Sequence, residues 1–291
     1  MGVSVPRGGS GTLAGAARVG ERRVGAAAHL RSLSLGAPPA HSDKRRQRRV
    51  RAAAPLLQFI RMTDFKAFDE RGYRTVDVRT GYGEWVATYE QTVEDAMDIA
   101  LLDELRAVRW AGVAADLGCG TGRTGTWMRE HGVAAIDGVD LTPEMLAVAR
   151  ERGVYRRLVE GDVAATGLES EAYDLVMTCL VDEHLADIEP LYAEAFRIAR
   201  PGGTFVLVGF HPHFIMAAGM PTHFDSASGE PVAIDTYVHL LSEHVTAGLA
   251  AGWTLAEMRE RTIDDAWLAL KPKWERLRGQ PVAFAVAWRK D

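Results

Sequence analysis

Cysteines and long apolar stretches are scarce in this chain of 291 residues. Its two cysteines, Cys119 and Cys179, cannot build the disulfide framework that holds small secreted domains together. No apolar run approaches the roughly 18 residues that a membrane-spanning helix needs. The remaining composition, 47% hydrophobic and 25% charged, is typical of an ordinary globular protein. We therefore expect a cytoplasmic protein whose main part folds around one large core.

Acidic residues are almost missing from residues 1–61, which contain twelve Lys or Arg but only two Asp or Glu. The remainder, 62–291, has 22 basic and 37 acidic residues, a net charge of −15. A Gly-, Ala-, Ser- and Arg-rich segment without hydrophobic periodicity cannot bury enough apolar surface to offset its ordering entropy, so we predict a disordered basic tail. Three interpretations stay open: an organelle transit peptide, a nucleic-acid-binding or nuclear-targeting tail, or a segment ahead of a natural start at Met62.

Strand and helix patterns alternate through 62–291, which predicts one domain there. Five apolar runs that end in turn residues are predicted strands: GVAADLG, AAIDGVDL, RLVEGDV, YDLVMTCLV and TFVLVGFH. Two more predicted strands, TLAEMRERTI and VAFAVAWRK, have no full helix between them, so we expect an antiparallel last strand at the sheet edge. The predicted fold is α/β, Rossmann-like and doubly wound, with a mainly parallel seven-stranded sheet.

Outside this alternation, the pattern makes four further predictions. Apolar residues at helical spacing predict one helix over 93–108 and a long one over 236–253. The stretches 212–234 and 264–281 do not fit the scaffold, and loops of this length in a compact domain are usually functional or disordered. Their aromatic, Met and His content argues against plain disorder.

The stretch AADLGCGTGRTG places Gly118, Gly120 and Gly122 directly after Asp116, at the end of a predicted strand. A strand that feeds a Gly-rich turn and a helix presents main-chain N–H groups where open α/β sheets bind ligands. Both NAD and S-adenosylmethionine use such turns. A carboxylate beside the glycines would repel a pyrophosphate but attract the ammonium and sulfonium groups of S-adenosylmethionine.

Two further acids, Asp140 and Asp162, fall at the ends of the second and third predicted strands. A carboxylate at the first position can accept both ribose hydroxyls, which either cofactor would use. A carboxylate at the second position can accept from the adenine amino group. Three acids at three successive strand ends favour S-adenosylmethionine as the cofactor.

These residues resemble the motifs of class I S-adenosylmethionine-dependent methyltransferases, in particular the ubiquinone- and menaquinone-biosynthesis type of small-molecule methyltransferase. The matching stretches are DLGCGTG, VDLTPEM, GDV, YDLV and RPGG. The resemblance implies a cofactor site made of Asp116, Gly118, Cys119, Gly120, Gly122, Asp140, Leu141, Met145, Asp162, Val163 and Cys179, with Leu180 beside it. It also implies that GYGEWVATYE is an N-terminal lid, in which Tyr82, Trp85 and Tyr89 would close over cofactor and substrate.

Candidate catalytic residues lie at the ends of the fourth and fifth predicted strands. Methyl transfer needs a base only where the acceptor must lose a proton. The segments Asp182-Glu183-His184 and His211-Pro212-His213 both follow strands. A histidine with a pKa of about 6.5 suits a phenol or amine acceptor. We therefore take His184 and His211 as the candidate catalytic residues.

No metal site is predicted. His211 and His213 lack a convincing third ligand, and His239 and His244 are five residues apart, off one helical face.

The acceptor is predicted to be a small molecule that is partly apolar or aromatic. The residues behind this hypothesis are Phe214, Met216, Met220, His223, Phe224, Trp267 and Trp274. A nucleic-acid substrate is not expected, because the fourth strand ends in CLVDEH and not in the Asn/Asp-Pro-Pro-Tyr/Phe motif of the DNA and RNA amino-methyltransferases that this fold resembles. The net charge of −15 also opposes phosphate binding. In-line methyl transfer in a closed pocket is the favoured interpretation. An NAD-linked oxidoreductase and a non-catalytic cofactor-binding module are the alternatives that stay open.

Overall fold

The computed structural model describes residues 65–93 and 98–291, so the predicted basic tail lies outside the described residues. The strands in this part are β1 Arg74–Val76, β2 Gly112–Leu117, β3 Val133–Asp140, β4 Arg157–Glu160, β5 Tyr173–Cys179, β6 Ala199–Phe210, β7 His223–Asp225, β8 Pro231–Ile234, β9 Thr254–Thr262 and β10 Pro281–Arg289. The helices are α1 Val78–Thr92, α2 Ile99–Leu102, α3 Arg123–Glu130, α4 Pro143–Glu151, α5 Glu189–Ile198, α6 Pro212–Ala218, α7 Leu241–Ala251 and α8 Asp265–Leu270. Short 3-10 helices span Phe65–Ala67, Asp182–His184 and Pro272–Leu277.

Seven strands form the main sheet in the order β4-β3-β2-β5-β6-β10-β9. Strands β4 to β6 pair in parallel, whereas β10 is antiparallel to both β6 and β9. The predicted doubly wound α/β fold, with a mainly parallel seven-stranded sheet and an antiparallel last strand, is confirmed. The strand order reverses between β2 and β5, and this reversal opens a crevice at the carboxyl ends of these two strands.

The central strands are buried on both faces, because successive side chains of a strand point to opposite sides of the sheet. In β5, Leu175 and Met177 join the core cluster beneath α2, α3, α6 and α8. Val176, between them, joins the opposite cluster with α5 and α7. The two helical layers leave the strand ends as the accessible edge of the sheet.

A second, three-stranded sheet has the order β1-β8-β7. Its side chains Phe224, Val232 and Ile234 pack with Trp85 of α1 in a separate apolar cluster. The stretch 212–234 therefore folds into α6, β7 and β8, which corrects the prediction of a loop. The stretch predicted as the second loop likewise contains α8 and a 3-10 helix. Contacts with side chains that are distant in the sequence fix the structure of both stretches, so no local pattern revealed these helices and strands.

The helix predicted over 93–108 is wrong in length: its described part contains only α2, followed by turns. Beyond α2, the N–H groups of Arg106 and Ala107 each donate to Glu257 Oε2 of β9 over 2.7 Å. A carboxylate from a remote strand thus replaces the carbonyls that a continued helix would offer. Leu101, Leu102, Leu105 and Val108 of this stretch are buried, but without a continuous helix.

The long helix predicted over 236–253 begins later, as α7. Before it, the N–H of Tyr237 donates to the carbonyl of Glu183 over 2.7 Å. His239 Nε2 lies 2.7 Å from the carbonyl oxygen of Leu185. These bonds hold the preceding segment against the turn after β5, so it does not join the helix.

The last strand lies inside the sheet, which corrects its predicted position at the edge. Strand β10 is apolar and almost entirely buried. Strand β9 carries the exposed charged residues Arg259 and Glu260, and it takes the edge instead. Charges on an edge strand discourage pairing with another chain, whereas an apolar strand is best covered on all sides.

Candidate active site

The glycine-rich turn after β2 lies at the crevice. Gly118, Gly120 and Gly122 all have positive φ, at 72°, 51° and 87°. A Cβ on Gly118 would lie 2.3 Å from Val181 Cγ2, so the turn can approach the segment after β5 only without a side chain there. A Cβ on Gly120 would meet nothing within 4 Å, because this glycine faces open space.

Asp140 holds this turn from the end of β3. Its Oδ2 accepts from the N–H of Gly120 at 2.7 Å, and its Oδ1 accepts from the N–H of Thr142 at 2.8 Å. Burial raises the pKa of this carboxyl. The two hydrogen bonds fix the orientation of the carboxylate, and each oxygen still has a lone pair for a ligand.

A cavity of about 260 Å³, which we call the strand-end cavity, opens beside Asp140. It brings together ten of the predicted cofactor residues: Tyr82, Tyr89, Gly118, Gly120, Asp140, Leu141, Met145, Asp162, Val163 and Cys179. The other lining residues are Val78, Thr142, Leu180, Val181, His184 and Leu185. Neither Lys nor Arg occurs among these lining residues, whereas two acids, Asp140 and Asp162, do.

The other three predicted residues, Asp116, Cys119 and Gly122, lie behind the turn and do not line this cavity. Asp116 accepts hydrogen bonds from Tyr155 Oη at 2.7 Å and from Thr124 Oγ1 at 3.0 Å. Burial raises the pKa of Asp116 to about 6. The structure thus places Asp116 as an internal brace of the turn, not as a group that reaches the cavity.

Helix α1, which carries the predicted lid residues, is tied to the glycine-rich turn and to α4. Thr121 Oγ1 donates to the carboxylate of Glu90, and Arg152 forms an ion pair with Glu90 at 2.8 Å. Arg152 Nε also donates to the carbonyl of Thr121 at 2.6 Å. These contacts hold α1 beside the strand-end cavity, where Tyr82 and Tyr89 contribute to its wall.

A second cavity of about 210 Å³, which we call the aromatic cavity, shares Tyr82, Tyr89 and Leu180 with the first. Its other lining residues are Trp85, Thr92, Val93, Glu183, Phe210, Phe214, Ile215, Met220, Pro221, Thr222, His223, Thr236, Trp267, Lys271, Lys273 and Trp274. Five of the seven predicted acceptor residues are among them. Met216 packs instead beside Phe65, and Phe224 stacks on Trp85 behind the wall.

His184 lies where the cavities adjoin and is paired with Tyr82. Its Nδ1 is 2.7 Å from the carbonyl oxygen of Asp235, and because a carbonyl only accepts, Nδ1 carries the proton. Nε2 then accepts from the Tyr82 hydroxyl at 2.8 Å. Burial lowers the pKa of His184, which keeps the ring neutral. The pair fixes Tyr82 at the boundary between the cavities.

His211, the other catalytic candidate, lines neither cavity. It is the N-cap of α6, where its Nδ1 accepts from the N–H of His213 at 3.1 Å. Its Nε2 pairs with Glu260 of β9 at 2.9 Å. Both ring nitrogens are therefore engaged in structural contacts, and the placement corrects the expectation that His211 faces the site.

Two residues of the site have features that the sequence did not reveal, although the resemblance had placed Leu180 beside the cofactor. Leu180, after β5, has a φ of 57°, which is a strained conformation for a residue with a side chain. Glu183 is 4% exposed in the wall of the aromatic cavity, and Thr222 Oγ1 donates to its Oε1 at 2.9 Å. The run Asp182-Glu183-His184 marked the region, but only packing distinguishes the acid that reaches a cavity.

Within 65–93 and 98–291, no group of three or more His, Cys, Asp or Glu side chains is placed to hold a metal ion. None of the helices in those ranges is both long and apolar enough to cross a membrane.

Comparisons with known proteins agree with this geometry. A family described as "Methyltransferase domain" matches residues 115–207. A malonyl-[acyl-carrier protein] O-methyltransferase of Serratia marcescens is 36% identical over 91 residues, which cover 31% of this chain and 35% of that protein. A demethylmenaquinone methyltransferase of Thermus thermophilus is 34% identical over 102 residues, which cover 33% of this chain and 46% of that protein.

The chain thus spans between a third and a half of the length of these curated relatives. A crystal structure of an S-adenosylmethionine-dependent methyltransferase from Mesorhizobium loti matches with a TM-score of 0.52 and 26% identity. The match covers 66% of this chain and 96% of that protein. The resemblance inferred from the sequence motifs is therefore confirmed: residues 115–207 match a methyltransferase domain, and the chain is similar to S-adenosylmethionine-dependent methyltransferases.

Proposed function

We propose that this protein transfers a methyl group from S-adenosylmethionine to a small, partly apolar acceptor. The observation that carries the proposal is the meeting of the two cavities at Tyr82, Tyr89 and Leu180. One cavity has the strand-end acids of a cofactor site, and the other is mainly apolar. Such a junction places a donor and an acceptor next to each other, which is the main requirement for an in-line displacement.

The strand-end cavity fits S-adenosylmethionine better than a dinucleotide. Among the residues that the structure describes, no Lys or Arg lines it to bind a pyrophosphate, whereas Asp140 and Asp162 supply negative charge for a cationic ligand. Gly120 faces open space in the wall, so a ligand can lie against the main chain there. An NAD-linked reaction is accordingly not proposed.

Each part of the cofactor has a matching set of residues in this proposal. The Asp140 carboxylate would accept the ribose hydroxyls, and Leu141 and Met145 would pack near the adenine. Asp162 and Val163 would address the edge of the adenine. The turn at Gly118 and Gly120, together with Cys179, would hold the methionine end, braced from behind by Asp116, Cys119 and Gly122. When bound, S-adenosylmethionine supplies an electrophilic methyl carbon on a sulfonium sulfur.

The chain's own residues would then orient the acceptor and exclude water. Helix α1, held through Glu90 and Arg152, covers the cavity with two tyrosines. Because His184 is neutral and accepts from Tyr82, its role in this proposal is to position that phenol at the boundary between the cavities. A dry, closed junction keeps water from competing for the methyl group.

The acceptor is proposed to be a small molecule. The two curated relatives are named for malonyl-[acyl-carrier protein] and demethylmenaquinone, and neither is a nucleic acid. The acidic net charge of 62–291 also disfavours a polyphosphate backbone. A reducing, cytoplasmic location is part of the proposal, because Cys119 and Cys179 are both free thiols.

Calorimetric titration of the full chain with S-adenosylhomocysteine and, separately, with NADH tests the cofactor assignment. We expect S-adenosylhomocysteine to bind with a dissociation constant of about 1–10 μM and NADH not to bind. Transfer of a labelled methyl group to members of a small-molecule panel then tests the reaction. Binding of NADH alone would return the oxidoreductase alternative, and binding of neither would end the methyltransferase proposal.

A further inference from the structure

Glu183 occupies an unusual position in the aromatic cavity. It is buried, and the N–H of Tyr237 fixes its main chain by donating to its carbonyl at 2.7 Å. Its carboxyl Oε1 accepts from Thr222 Oγ1. Among residues 65–93 and 98–291, no group donates a hydrogen bond to Oε2. One oxygen of this carboxyl is therefore held by the protein, and the other remains for a ligand.

In the part of the chain that the structure describes, this carboxyl has no positively charged partner. His184 Nε2 is 3.5 Å from Glu183 Oε1, but that nitrogen carries no proton, because it accepts from Tyr82. In the described ranges, no Lys or Arg forms an ion pair with Glu183. Burial and the neighbouring carboxylate of Asp182 raise the pKa of Glu183 to about 8, so it holds its proton at neutral pH.

The other charged groups at this cavity lie elsewhere on its lining. Lys271 and Lys273 come from the segment after α8, and Lys273 is exposed, with its Nζ 5.6 Å from the centre of the Trp274 ring. Burial lowers the pKa of His223, which favours a neutral ring. The lysine at position 273 is thus on the solvent side of the cavity, and the buried acid is Glu183.

Aromatic rings form much of the wall around this acid. Tyr82, Trp85 and Tyr89 of α1 contact one another, with ring centres 5.0–6.1 Å apart. Phe214 and Trp274 contact each other at 5.0 Å in another part of the lining. Aromatic faces attract cations, and a buried carboxyl without a counter-ion gains most from a ligand that brings one.

We propose that the aromatic cavity takes acceptors that carry an aliphatic ammonium group, that Glu183 binds this group, and that the nitrogen is the atom methylated. The proposal rests on the methyltransferase function proposed above and names its substrate class. An alcohol or a phenol brings no positive charge that could stabilise the ionised form of Glu183 and would meet only a protonated carboxyl, so the same cavity favours amines over these acceptors.

The proton balance of the reaction follows from this arrangement. Binding of the ammonium releases the proton of Glu183 to solvent and leaves a carboxylate. One N–H proton of the ammonium then moves to that carboxylate, which frees the nitrogen lone pair. The lone pair forms the bond to the methyl carbon, and the electron pair of the broken carbon–sulfur bond stays with sulfur. The product is a methylated ammonium, and Glu183 ends protonated.

Calorimetry with matched amine and alcohol probes tests the assignment. The full chain, with and without S-adenosylhomocysteine, is titrated with benzylamine, 2-phenylethylamine and tryptamine, and with the three corresponding alcohols. At pH 7, in two buffers of different ionisation enthalpy, we expect at least one amine to bind ten-fold or more tightly than its alcohol. Its binding should release close to one proton, because the pKa of Glu183 is about 8 without the ligand.

Variants separate the role of Glu183 from general effects. Glu183→Gln keeps the shape and the acceptor for Thr222 but cannot ionise, so it should lose ten-fold or more in amine affinity and all of the proton release. Glu169→Gln, which changes an exposed acid that lines neither cavity, should behave like the wild type. Unchanged affinity of Glu183→Gln for S-adenosylhomocysteine would show that this variant is folded.

The outcomes also separate this inference from the proposed function. If S-adenosylhomocysteine binds but no amine binds more tightly than its alcohol, the ammonium assignment is wrong and the methyltransferase proposal stands. Amine preference without proton release, or preference retained in Glu183→Gln, would assign recognition to the aromatic rings and overturn the role of Glu183. Failure of S-adenosylhomocysteine to bind the wild type would instead end the proposed function.

Discussion

The strand-end cavity and the aromatic cavity share a wall but are built in different ways. Apart from α1, the first takes its lining from successive strand-to-helix turns between Gly118 and Leu185. The second draws on α1, on Leu180 and Glu183 after β5, on the region from Phe210 to Thr236 and on the region from Trp267 to Trp274. Sheet geometry brings the residues of the first together, whereas the packing of distant segments assembles the second.

Their buried acids differ in the same way. Asp140 accepts hydrogen bonds from two main-chain N–H groups, and these bonds fix both the glycine-rich turn and the carboxylate. Glu183 receives one side-chain hydroxyl, from Thr222. A carboxylate with two N–H donors is well prepared to stay charged, and one with a single hydroxyl is not. Substitutions in either cavity can therefore test whether the two cavities also differ in their effects on stability and ligand affinity.

The largest expected effect concerns Glu183 and pH. Its pKa is raised from 4.5 to about 8 in the folded protein, so the folded state keeps a proton that the unfolded chain releases. The free energy of unfolding should therefore fall as the pH rises through this window, by up to about 5 kcal/mol, and Glu183→Gln should remove this fall. Urea unfolding at pH 5, 6.5 and 8 measures it.

Asp116 provides the matched comparison on the strand-end side. Its pKa is raised from 3.8 to about 6, so Asp116→Asn should flatten the pH dependence only between those two values. Equal slopes for the wild type and Glu183→Gln between pH 5 and 8 would mean that Glu183 is ionised in the folded protein.

The next largest effect is expected for Asp140→Ala. The substitution removes a proposed partner of the ribose and leaves the N–H groups of Gly120 and Thr142 without their acceptor. Affinity for S-adenosylhomocysteine should fall about 100-fold, or roughly 3 kcal/mol. Calorimetry measures the change, and Glu169→Ala serves as the control. A loss of less than three-fold would contradict the ribose assignment.

A smaller loss is expected for Gly118→Ala. The residue has a φ of 72°, and the added Cβ would be 2.3 Å from Val181 Cγ2. Cofactor affinity should fall roughly 20-fold, or about 2 kcal/mol, and Val181→Ala in the same chain should restore part of it. Gly167→Ala, at a φ of 67° with nothing within 4 Å, isolates the backbone cost. No rescue by the second substitution would show that contact with Val181 is unimportant.

The smallest expected effect compares one apolar residue from each cavity. Leu141 is 39% exposed beside the strand-end cavity, and Leu141→Ala should weaken S-adenosylhomocysteine binding about five-fold, or roughly 1 kcal/mol. Met220→Ala, in the aromatic cavity, should leave that affinity within about two-fold. The same titration serves both variants, and equal losses would mean that the two cavities act as one site.

Most of the sheet could be predicted, because its strands are short apolar runs that end in turn residues. Helix lengths at its borders could not, since Glu257 accepts the N–H groups of Arg106 and Ala107 from another part of the chain. The position of the last strand depended on the charge of its neighbour β9. These errors share one cause, which is that a remote partner supplied the contacts that a local pattern assumes.

The residues of the candidate site likewise fall into those that the sequence could locate and those that only tertiary packing places. Asp140 and Asp162 could be located because parallel strands end at one edge of a sheet, so a residue's place at the end of a strand is also its place in the site. His184 and His211 looked equivalent, yet one lies at a cavity and the other caps a helix. Nothing within a few residues of either histidine distinguishes the two.

The sequence alone determined three features: the alternation of strands and helices, the glycine-rich turn, and the acids at the strand ends. Each of them depends on residues that are neighbours in the chain. Tertiary structure alone decided that Glu183 meets Thr222 and that His184 meets Tyr82 and Asp235. Burial, proton positions and pKa depend on which distant segments pack together. The chemistry of the aromatic cavity was therefore decided by the fold.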